Sequence, residues 1–448
     1  MSHIAVIDVG KTNAKLALVD SASLTEVAVV TRPNTVLQGP PYPHFDLDGH
    51  WAFFVQALRD FHASHGVDAI SVTTHGASAV LLDAEGNLAC PMLDYEHTGP
   101  DDFTVAYDAL RPDFTLTGSP RLPMGLNLGA QLHWLLETQE GLRERLAHVV
   151  TYPQYWGYRL TGQLASDVTS LGCHTDLWNP FTQTFSDLVG ALGLSGKMAP
   201  ALRSDATLGM VSETLAAELG FDRPVPVTCG IHDSNASLYP YLGQDAPFAV
   251  VSTGTWVVAM AIGAKEQSLD PARDVLVNTN ALGQPVPSAR FMGGREYELI
   301  KPAATSVTAQ DRQLALSGAM LLPAVEPSSG PYQHRQMRWT TTEPQDGPRM
   351  VALSWYLALM TRTCLDLAGA DGPVIVEGPF ARNGDYLDML SALCDGGVMV
   401  ATSLTGTSVG AAMLTCDTPA PNLRPHTAPD TTADLRAYAA KWRSLTGS

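Results

Sequence analysis

The sequence predicts an α/β protein built from two domains of similar size, and three observations lead to this prediction. The chain has 448 residues, whereas a single compact core rarely extends beyond about 250–300 residues. Hydrophobic residues make up 45% of the chain and charged residues only 16%, which supports two buried cores and excludes a mainly disordered chain. Segments typical of strands also alternate with segments typical of helices in both halves.

The N-terminal segment predicts a β-hairpin. An apolar run at residues 4–7 is followed by turn residues at 10–13 and by a second β-type run at 14–20. The uncharged stretch 246–264 has a polar, turn-like centre at 252–255. This stretch therefore predicts two buried strands joined by a tight turn rather than a membrane span.

The two hairpins resemble one another. Residues 249–262 align without gaps on residues 5–18, with identical pairs that include Gly10 and Gly254. A short match of this kind arises by chance or by duplication of a domain that opens with strand, glycine turn and strand. Under duplication, the break at 242–247 predicts domains at residues 1–243 and 244–448.

The remaining elements follow from hydrophobic periodicity, because an alternating or continuous short apolar run favours a strand and a period near 3.6 favours a helix. Predicted strands lie at 67–74, 78–83, 225–229, 374–377 and 397–401, and predicted helices at 130–137, 141–149, 350–368, 385–394, 407–416 and 435–445. Helix 407–416 is rich in small residues and is expected to pack closely. Residues 327–348 predict a polar loop.

The net charge of the chain limits the kinds of partner that are expected. Lys and Arg number 27 and Asp and Glu 45, so the net charge is −18. Such an acidic chain argues against nucleic acid as the main partner, because a phosphate backbone needs a basic surface. With six scattered cysteines and an N-terminus unlike a signal peptide, we expect a soluble cytoplasmic protein with no membrane partner.

Each hairpin turn carries groups that can bind an anion. At the first turn, Asp8 ends the strand, Gly10 permits close backbone approach, and three donors follow: Lys11, Thr12 and Asn13. The second turn offers hydroxyls and a glycine at Ser252–Thr255. Either turn alone is also typical of an ordinary hairpin. Two such turns in matching positions favour binding of one polyphosphate.

Two further segments lie where a predicted strand ends and a helix begins. Residues 230–235 read Gly-Ile-His-Asp-Ser-Asn, so Asp233 either faces a cleft or forms part of a helix N-cap. Residues 377–383 read Glu-Gly-Pro-Phe-Ala-Arg-Asn, which is either a ligand-binding turn or a plain βα turn. In that segment, Phe380 is suited to contact a base, and Asn383 to cap the helix or bind.

Taken together, these motifs resemble the FGGY carbohydrate kinases of the actin-like ATPase superfamily. DVGKTN resembles the first phosphate motif of that family, STGTW the second, GIHDS the motif with the catalytic aspartate, and EGPFARN the adenosine motif. YRLTGQLASD (158–167) and GTSVGAAML (406–414) are also similar to the family. The resemblance covers residues 3–418 and is closest to the fuculokinase and rhamnulokinase type.

The resemblance implies two ribonuclease H-like (actin-like ATPase) domains with a cleft that closes on its substrates. It further implies transfer of a phosphoryl group from ATP, with Mg²⁺, to a sugar hydroxyl. Asp233 would be the catalytic base and a metal-associated carboxylate, and Asp8 would hold Mg²⁺ through water. The implied nucleotide contacts are Gly10, Lys11, Thr12, Asn13, Thr253, Gly254, Thr255, Gly378, Pro379, Phe380 and Asn383.

The same resemblance implies sugar contacts and a substrate class. The implied sugar contacts are His75, Gly76, Asp94, His232, Asp233 and Asn280. For His75 and His232, a structural role as hydrogen-bonded histidines is the alternative. The favoured substrates are L-fuculose and L-rhamnulose. The alternatives are other ketoses or polyols (xylulose, ribulose, erythritol, glycerol) and a non-catalytic protein that binds nucleotide or sugar. Family members often form homodimers, so that state is possible.

The sequence also departs from the family pattern. The adenosine motif usually opens with consecutive glycines, whereas this chain has Glu377-Gly378-Pro379. Lys11 stands where small or hydroxylic residues are usual, and the segment 302–348 is compressed. Residues 94–97 match no single member of the family. These departures leave the nucleoside preference and the sugar open.

Overall fold

A computed structural model describes residues 2–304, 306–402, 406–416 and 422–447. The chain forms two units. Unit 1 consists of Met1–Gly243 and Val277–Pro285 with the described part of Thr405–Ala420, and unit 2 of the remaining described residues. Unit 1 therefore draws on both halves of the sequence. The division of sugar and nucleotide binding between residues 1–243 and 244–448 stays a prediction.

The described part of residues 2–243 contains strands β1–β15 and helices α1–α10. The strands are His3–Val9 (β1), Asn13–Asp20 (β2), Thr25–Pro33 (β3), Val36–Leu37 (β4), His44–Phe45 (β5), Ala69–Thr74 (β6), Ala79–Leu82 (β7), His148–Thr151 (β8), Ser166–Asp167 (β9), Trp178–Asn179 (β10), Thr184–Phe185 (β11), Ala201–Leu202 (β12), Thr207–Met210 (β13), Pro226–Thr228 (β14) and Ile231–His232 (β15). The helices are Leu47–His65 (α1), Thr104–Asp108 (α2), Phe114–Thr117 (α3), Leu128–Thr138 (α4), Leu142–Arg145 (α5), Tyr152–Thr161 (α6), Val168–Leu171 (α7), Leu188–Ala191 (α8), Glu213–Leu219 (α9) and Asp233–Leu238 (α10).

The described residues after 243 add strands β16–β24 and helices α11–α16. The strands are Phe248–Thr253 (β16), Val257–Ile262 (β17), Val275–Thr279 (β18), Pro285–Phe291 (β19), Leu321–Leu322 (β20), Arg338–Trp339 (β21), Val374–Glu377 (β22), Val398–Ala401 (β23) and Leu423–His426 (β24). The helices are Gly293–Ile300 (α11), Ala309–Ser317 (α12), Asp346–Leu367 (α13), Gly384–Leu393 (α14), Thr407–Ala412 (α15) and Thr432–Thr446 (α16). Short 3₁₀ helices lie at Gly99–Phe103, Tyr239–Tyr241, Pro271–Arg273, Pro379–Arg382 and Met413–Thr415.

Unit 1 is built on a mixed sheet with the order β13-β14-β6-β1-β2-β3, in which β15 also pairs with β6. β1 and β2 form the antiparallel hairpin that the sequence predicts, and β1 runs parallel to β6 on its other side. β6 and β15 are parallel as well. The residues that follow β1, β6 and β15 therefore emerge at one end of the sheet, as expected for a ligand site of an α/β fold.

Unit 2 repeats this arrangement. Within the unit, its strands run in the order β19-β17-β16-β22-β23-β24. β16 and β17 form an antiparallel hairpin, and β16 runs parallel to β22. Each unit thus has a hairpin whose first strand also pairs in parallel with a strand from later in the chain. The repeated strand, turn and strand predicted from the sequence is present, and the α/β fold class is confirmed.

Helices cover the two sheets. In unit 1, apolar residues of α1 and α6 form a buried core with β1, β2 and β6. The other face of that sheet is covered by α10 and α15, where small residues such as Ala236 and Ala411 are fully buried. Helix α15 lies within the small-residue segment 407–416 and packs closely, as predicted. In unit 2, the long helix α13 is buried along much of its length between the sheet and α14.

Two segments differ from the sequence prediction. Residues 141–149, predicted as one helix, form the single turn α5 and then enter β8, which pairs antiparallel with β7. The β-branched pair Val149–Val150 is fully buried in this ladder, so tertiary pairing outweighs the local helical pattern. The predicted loop 327–348 contains the short strand β21 and the first turn of α13.

Within residues 2–304, 306–402, 406–416 and 422–447, no helix is both long and apolar enough to cross a bilayer.

Candidate active site

The first hairpin turn closes tightly between β1 and β2. The Gly10 N–H donates to the Asn13 carbonyl at 2.9 Å, and the side chains of Thr12 and Asn13 are exposed. Asn34 supports the turn from the end of β3, because its Nδ2 donates to the Gly10 carbonyl at 2.8 Å. The turn is therefore held in one shape with its donors facing solvent.

A buried histidine stabilises Asn34 in turn. His50 Nε2 lies 2.8 Å from Asn34 Oδ1, and His50 Nδ1 lies 2.7 Å from the guanidinium of Arg32. Burial, aided by Arg32, lowers the pKa of His50 to about 4, so the ring is neutral at pH 7. Sequence reasoning missed Asn34 and His50, because no local pattern connects them with residues 8–13.

Asp8 is anchored by the N-terminus of α15. Its Oδ2 accepts hydrogen bonds from Thr407 Oγ1 at 2.6 Å and Ser408 Oγ at 2.8 Å, and lies 3.2 Å from Lys15 Nζ. Both hydroxyls fall in the segment 406–414, which the sequence had singled out as family-like. That segment was the signal that could have identified Thr407 and Ser408 as site residues.

The surroundings of the Asp8 carboxylate fit a magnesium ion. The three partners of Asp8 all contact Oδ2, and among the described residues no protein hydrogen bond reaches Oδ1. Mg²⁺ prefers oxygen ligands and is usually bound through one or two carboxylates together with water and substrate phosphates. Within the described residues, no group of three or more His, Cys, Asp or Glu side chains is arranged to hold a metal, so a magnesium site here would be of that shared kind.

Lys11 does not extend freely from the turn. Its ammonium is ion-paired with Asp94 and lies 3.1 Å from Glu96 Oε2. It also lies over two aromatic rings, 4.6 Å from the centroid of Tyr95 and 5.2 Å from that of Phe45. Lys11 and Asp94, predicted to bind different substrates, are therefore direct partners.

His75 is buried at the end of β6. Its Nδ1 lies 3.0 Å from the Gly76 carbonyl, which favours the tautomer with the proton on Nδ1. Burial lowers its pKa. Within the described part of the chain no group bonds Nε2, so that atom is an unused acceptor. The rings of Phe45, Tyr95 and Tyr152 surround His75, each with its centroid 5.2 Å away.

Asp233 follows β15 and begins α10. Its side chain is 31% exposed, and its Oδ1 lies 3.1 Å from His232 Nε2. Asp233 is the first residue of α10, and the N-cap position is occupied by His232 without a side-chain capping bond. The prediction that Asp233 caps the helix was therefore wrong, and its orientation toward a cleft stays a prediction. Asp233 Oδ1 also accepts from the adjacent Ser234 N–H at 2.6 Å. The carboxylate is thus oriented from two sides and still accessible.

His232 lies between Asp233 and a buried thiol. Its Nε2 is 3.8 Å from Cys173 Sγ. Burial alone would lower the pKa of His232, but Cys173 and Asp233 outweigh it and raise that pKa. Burial likewise opposes ionisation of Cys173, but His174 and His232 lower its pKa. A Cβ atom on Gly76 would lie only 2.7 Å from His232 Nε2, so Gly76 borders this pair directly.

Asn280 is fully buried and closes a turn of its own. Its Oδ1 accepts from the Leu282 and Gln284 N–H groups, both at 3.0 Å, and its Nδ2 donates to Gln284 Oε1 at 3.1 Å. The preceding residue, Thr279, lies against Gly172 beside Cys173. No contact in the described structure joins the Asn280 side chain to Asp233 or His75, so its predicted sugar contact stays a prediction.

In unit 2, Thr253 fastens the second turn to the predicted adenosine motif. Its hydroxyl donates to the Glu377 carbonyl and accepts from the Phe380 N–H at 3.1 Å. The approach is close enough that a Cβ on Gly378, which has φ +82°, would lie 2.1 Å from the Thr253 carbonyl oxygen. Thr253 is buried, whereas Gly254 and Thr255 are exposed at the turn.

A cavity of about 690 Å³ opens beside this turn, a size typical of small-molecule sites. Its lining includes Gly254, Thr255, Tyr297, Pro379, Phe380 and Asn383. The Phe380 ring is mostly buried between Tyr297 and Tyr386, with centroids 6.0 and 5.3 Å away. Asn383 accepts from the Tyr386 N–H at 3.1 Å as the N-cap of α14 and donates to Ser354 Oγ at 3.0 Å.

The structure therefore groups the predicted residues into two sets. In unit 1, Asp8 and the turn 10–13 lie beside the ends of β1 and β6, and a chain of contacts runs through Lys11, Tyr95 and His75. Gly76, His232 and Asp233 continue that chain. In unit 2, the second turn and the adenosine motif border one cavity. The fold is a mixed α/β fold of two units, of the actin-like ATPase type.

Comparison with known proteins agrees with this class. The family model "FGGY family of carbohydrate kinases, N-terminal domain" matches residues 3–239, and "Carbohydrate kinase FGGY, C-terminal domain" matches residues 245–425. The chain belongs to the FGGY family of carbohydrate kinases.

The individual relatives have modest sequence identity to this chain. The L-fuculokinase of Escherichia coli (strain K12) is 26% identical over 277 residues, or 58% of this chain and 57% of that protein. The chain thus matches little more than half the length of that curated relative. A carbohydrate kinase from Novosphingobium aromaticivorans has a similar structure, with a TM-score of 0.90, 34% identity, and coverage of 99% of this chain and 100% of that one. A ligand-bound xylulose kinase from Lactobacillus acidophilus shares the fold at a TM-score of 0.80 and 14% identity, covering 100% of this chain and 98% of that one.

Proposed function

We propose that this protein is an ATP-dependent sugar kinase that phosphorylates a hydroxyl of a small ketose or deoxy-ketose. The observation that carries the proposal is the environment of Asp233. Its carboxylate is 31% exposed, is oriented by His232 and the Ser234 N–H, and adjoins the close contact between His232 and Gly76. A carboxylate held in this way is suited to accept a hydroxyl proton.

The reaction has a simple balance. The acceptor oxygen forms a bond to the γ-phosphorus of ATP, the bond from that phosphorus to the bridging oxygen breaks, and ADP leaves. The acceptor proton passes to the Asp233 carboxylate. Catalysis of this type depends mainly on positioning and on neutralising phosphate charge, so a base of ordinary strength suffices.

The phosphates require donors that approach closely. In unit 1 these are the exposed groups of Thr12 and Asn13. Gly10 closes their turn and permits close approach, and Asn34 holds the turn in place. In unit 2 the exposed Thr255 is the corresponding donor, and Gly254 permits close approach at a turn closed by its own N–H. Thr253 shapes the turn from within. Mg²⁺ held through Asp8 and Asp233 would supply charge neutralisation of the phosphates.

The nucleoside would occupy the cavity of unit 2. Gly378 permits the close approach of the adenosine motif to the second turn, and Pro379, Phe380 and Asn383 line the cavity. Because both polar groups of the Asn383 side chain already have protein partners, its contribution is to shape the wall.

The favoured acceptors are L-fuculose and L-rhamnulose. Support comes from the similarity to a curated L-fuculokinase, although that protein is 26% identical over little more than half its length. Sugar contacts are proposed for His75, Gly76, Asp94, His232, Asp233 and Asn280. Cytoplasmic location and a homodimer remain part of this proposal, and size-exclusion chromatography with light scattering tests the dimer.

A panel of acceptors tests the proposed function. Purified protein is incubated with ATP, Mg²⁺ and one candidate at a time: L-fuculose, L-rhamnulose, D-xylulose, D-ribulose, erythritol or glycerol, with ADP release as the readout. We expect release that depends on the acceptor and is greatest with a deoxy-ketose. A greater rate with another ketose or polyol would reassign the substrate, and no acceptor-dependent release would favour a non-catalytic binding protein.

A further inference from the structure

The position of the Lys11 ammonium does not suit a phosphate ligand. Its neighbours Thr12 and Asn13 are exposed at the turn, whereas the side chain of Lys11 is only 24% exposed. Its charge is already balanced by two carboxylates, those of Asp94 and Glu96. A phosphate brought to this ammonium would also meet the two carboxylates, which repel it.

The partners of Lys11 belong instead to the surroundings of His75. The Tyr95 ring lies under the Lys11 ammonium at 4.6 Å and its centroid lies 5.2 Å from that of His75. The centroid of the Phe45 ring likewise lies 5.2 Å from the Lys11 ammonium and 5.2 Å from the centroid of His75. We call Lys11, His75, Asp94, Tyr95 and Glu96 the Lys11 cluster.

The Lys11 cluster also lies near the proposed catalytic base. Burial is the main cause that raises the pKa of Tyr95, and the charges of Glu96, Asp94 and Asp233 raise it further. The charge of Asp233 therefore influences the Tyr95 ring, which also lies against the Lys11 ammonium. The cluster, the accessible carboxylate and the unused Nε2 of His75 together form one polar region of unit 1.

The charges of this region favour a particular kind of ligand. Lys11 contributes one positive charge, and Asp94, Glu96 and Asp233 contribute three negative charges. Cys173 Sγ and His232 Nε2 lie 3.8 Å apart, and each group shifts the pKa of the other toward its charged form. An acceptor with a carboxylate group would be repelled, whereas hydroxyl groups can donate to the carboxylates and accept from Lys11.

We propose that Lys11 is a specificity-determining residue of the acceptor site rather than a phosphate ligand, and that the Lys11 cluster selects a neutral polyhydroxylated acceptor over a sugar carboxylate. The inference rests on the proposed kinase function. In this role the ammonium holds Asp94 and Glu96 in place and offers a donor to an acceptor hydroxyl. Its removal should therefore affect the acceptor and leave the nucleotide unchanged.

The first test uses variants of Lys11 to measure the effects on acceptor binding and on nucleotide binding separately. Lys11→Met removes the charge and leaves an unbranched side chain one atom shorter, and Lys11→Arg keeps the charge. Lys265→Met is a matched change at an exposed lysine of unit 2. With Lys11→Met we expect the acceptor KM to rise about tenfold, the loss of a charged hydrogen bond. The affinity for ADP, measured by calorimetry, should stay within about twofold. Lys11→Arg should recover much of the acceptor KM.

Thr12→Ala provides the opposite pattern, because Thr12 is an exposed donor at the proposed phosphate turn. It should weaken ADP binding more than acceptor binding. The inference on Lys11 is overturned if Lys11→Met weakens ADP binding about tenfold while the acceptor KM is unchanged. It is also overturned if Lys11→Met behaves like Lys265→Met.

The second test uses the charge of the acceptor. Wild-type protein is assayed with the neutral sugars and polyols and with D-gluconate and D-glucuronate. We expect phosphorylation of a neutral acceptor at a kcat/KM at least about a hundredfold above either carboxylate, in line with the cost of placing like charges together. Preference for a carboxylate would overturn the inference while sustaining kinase activity. Absence of activity on every acceptor would instead show that the proposed function fails.

Discussion

At the scale of single residues, the proposed chemistry depends most on Asp233. Replacement by Asn preserves size and the ability of Oδ1 to accept from the Ser234 N–H, but removes the proton acceptor. A general base of this type contributes about 10²–10⁴-fold to the rate. We therefore expect Asp233→Asn to lower kcat by that factor, measured by acceptor-dependent ADP release, while the affinity for ADP stays nearly unchanged.

Asp395→Asn is the matched control for this variant, because Asp395 is an exposed carboxylate of unit 2 whose side chain is 95% exposed. It should have wild-type activity. Near-normal turnover by Asp233→Asn would refute the assignment of Asp233 as the base. A parallel loss of ADP binding would indicate that the substitution changes the structure rather than the chemistry.

Glu296 is a second residue with a testable property. It is 1% exposed on α11, and burial raises its pKa from 4.5 to about 7, although the Glu326 N–H opposes the shift. An acid whose folded-state pKa is raised contributes most to stability when protonated. Its contribution is complete below about pH 4.5 and is lost as the pH rises to about 7, a change of about 3 kcal/mol in the free energy of unfolding.

Glu296→Gln mimics the protonated acid at every pH. We expect it to resemble wild type in urea unfolding at pH 5 and to be more stable by about 2–3 kcal/mol at pH 8, where wild type buries a charge. Glu298→Gln, at an exposed side chain of the same helix, should change stability little at either pH. A Glu296→Gln variant that is less stable than wild type at pH 8 would contradict the shift.

At the scale of elements, α15 connects packing with the site. Gly410 lies so close to α10 that a Cβ atom there would be 1.9 Å from the Ala236 carbonyl oxygen. The same helix presents Thr407 and Ser408 to Asp8. A change that displaces α15 should therefore reduce stability and disturb Asp8 together.

We expect Gly410→Ala to lower the free energy of unfolding by about 1–3 kcal/mol through overpacking and to lower kcat as well, read by urea unfolding and ADP release. Gly243→Ala is the control, because nothing lies within 4 Å of a Cβ at that position. If Gly410→Ala and Gly243→Ala were equally stable, the close contact between α10 and α15 would be refuted.

Elements whose signals are local could be predicted from the sequence. Both hairpins, β6, β22 and the long helix α13 follow from short apolar runs or from an extended helical period. The prediction of a helix at 141–149 was wrong, because Val149 and Val150 obtain their partners from β7, far away in sequence. Local periodicity carries no information about such a partner.

The candidate site shows the same limit. Its motifs at 8–13, 230–235, 252–255 and 377–383 were recognisable because each places glycine and polar residues where a strand ends. The partner of each side chain was not, since Lys11 pairs with residues 83 and 85 positions away. The support of Gly10 by Asn34 likewise depends on β3 folding back along β2.

At the scale of the whole molecule, the protein and its proposed nucleotide ligand carry net charges of the same sign. The chain carries a net charge of −18, and the proposed nucleotide is itself a polyanion. The turns that would bind its phosphates are closed by Gly10 and Gly254 and offer the exposed polar groups of Thr12, Asn13 and Thr255. Lysine at position 11 is already neutralised by carboxylates. Short-range hydrogen bonds must therefore outweigh a long-range repulsion.

This opposition predicts the direction of the salt dependence. Between about 20 and 200 mM KCl the screening length falls from roughly 20 to 7 Å, which weakens the repulsion between protein and nucleotide but hardly affects contacts at hydrogen-bond distance. At constant free Mg²⁺, the KM for ATP should therefore stay level or fall slightly over this range, measured by ADP release with saturating acceptor. Binding through lysine and arginine side chains would instead raise the KM several-fold as salt screens the attraction, so a steep rise would show that basic residues, and not the glycine turns, hold the phosphates.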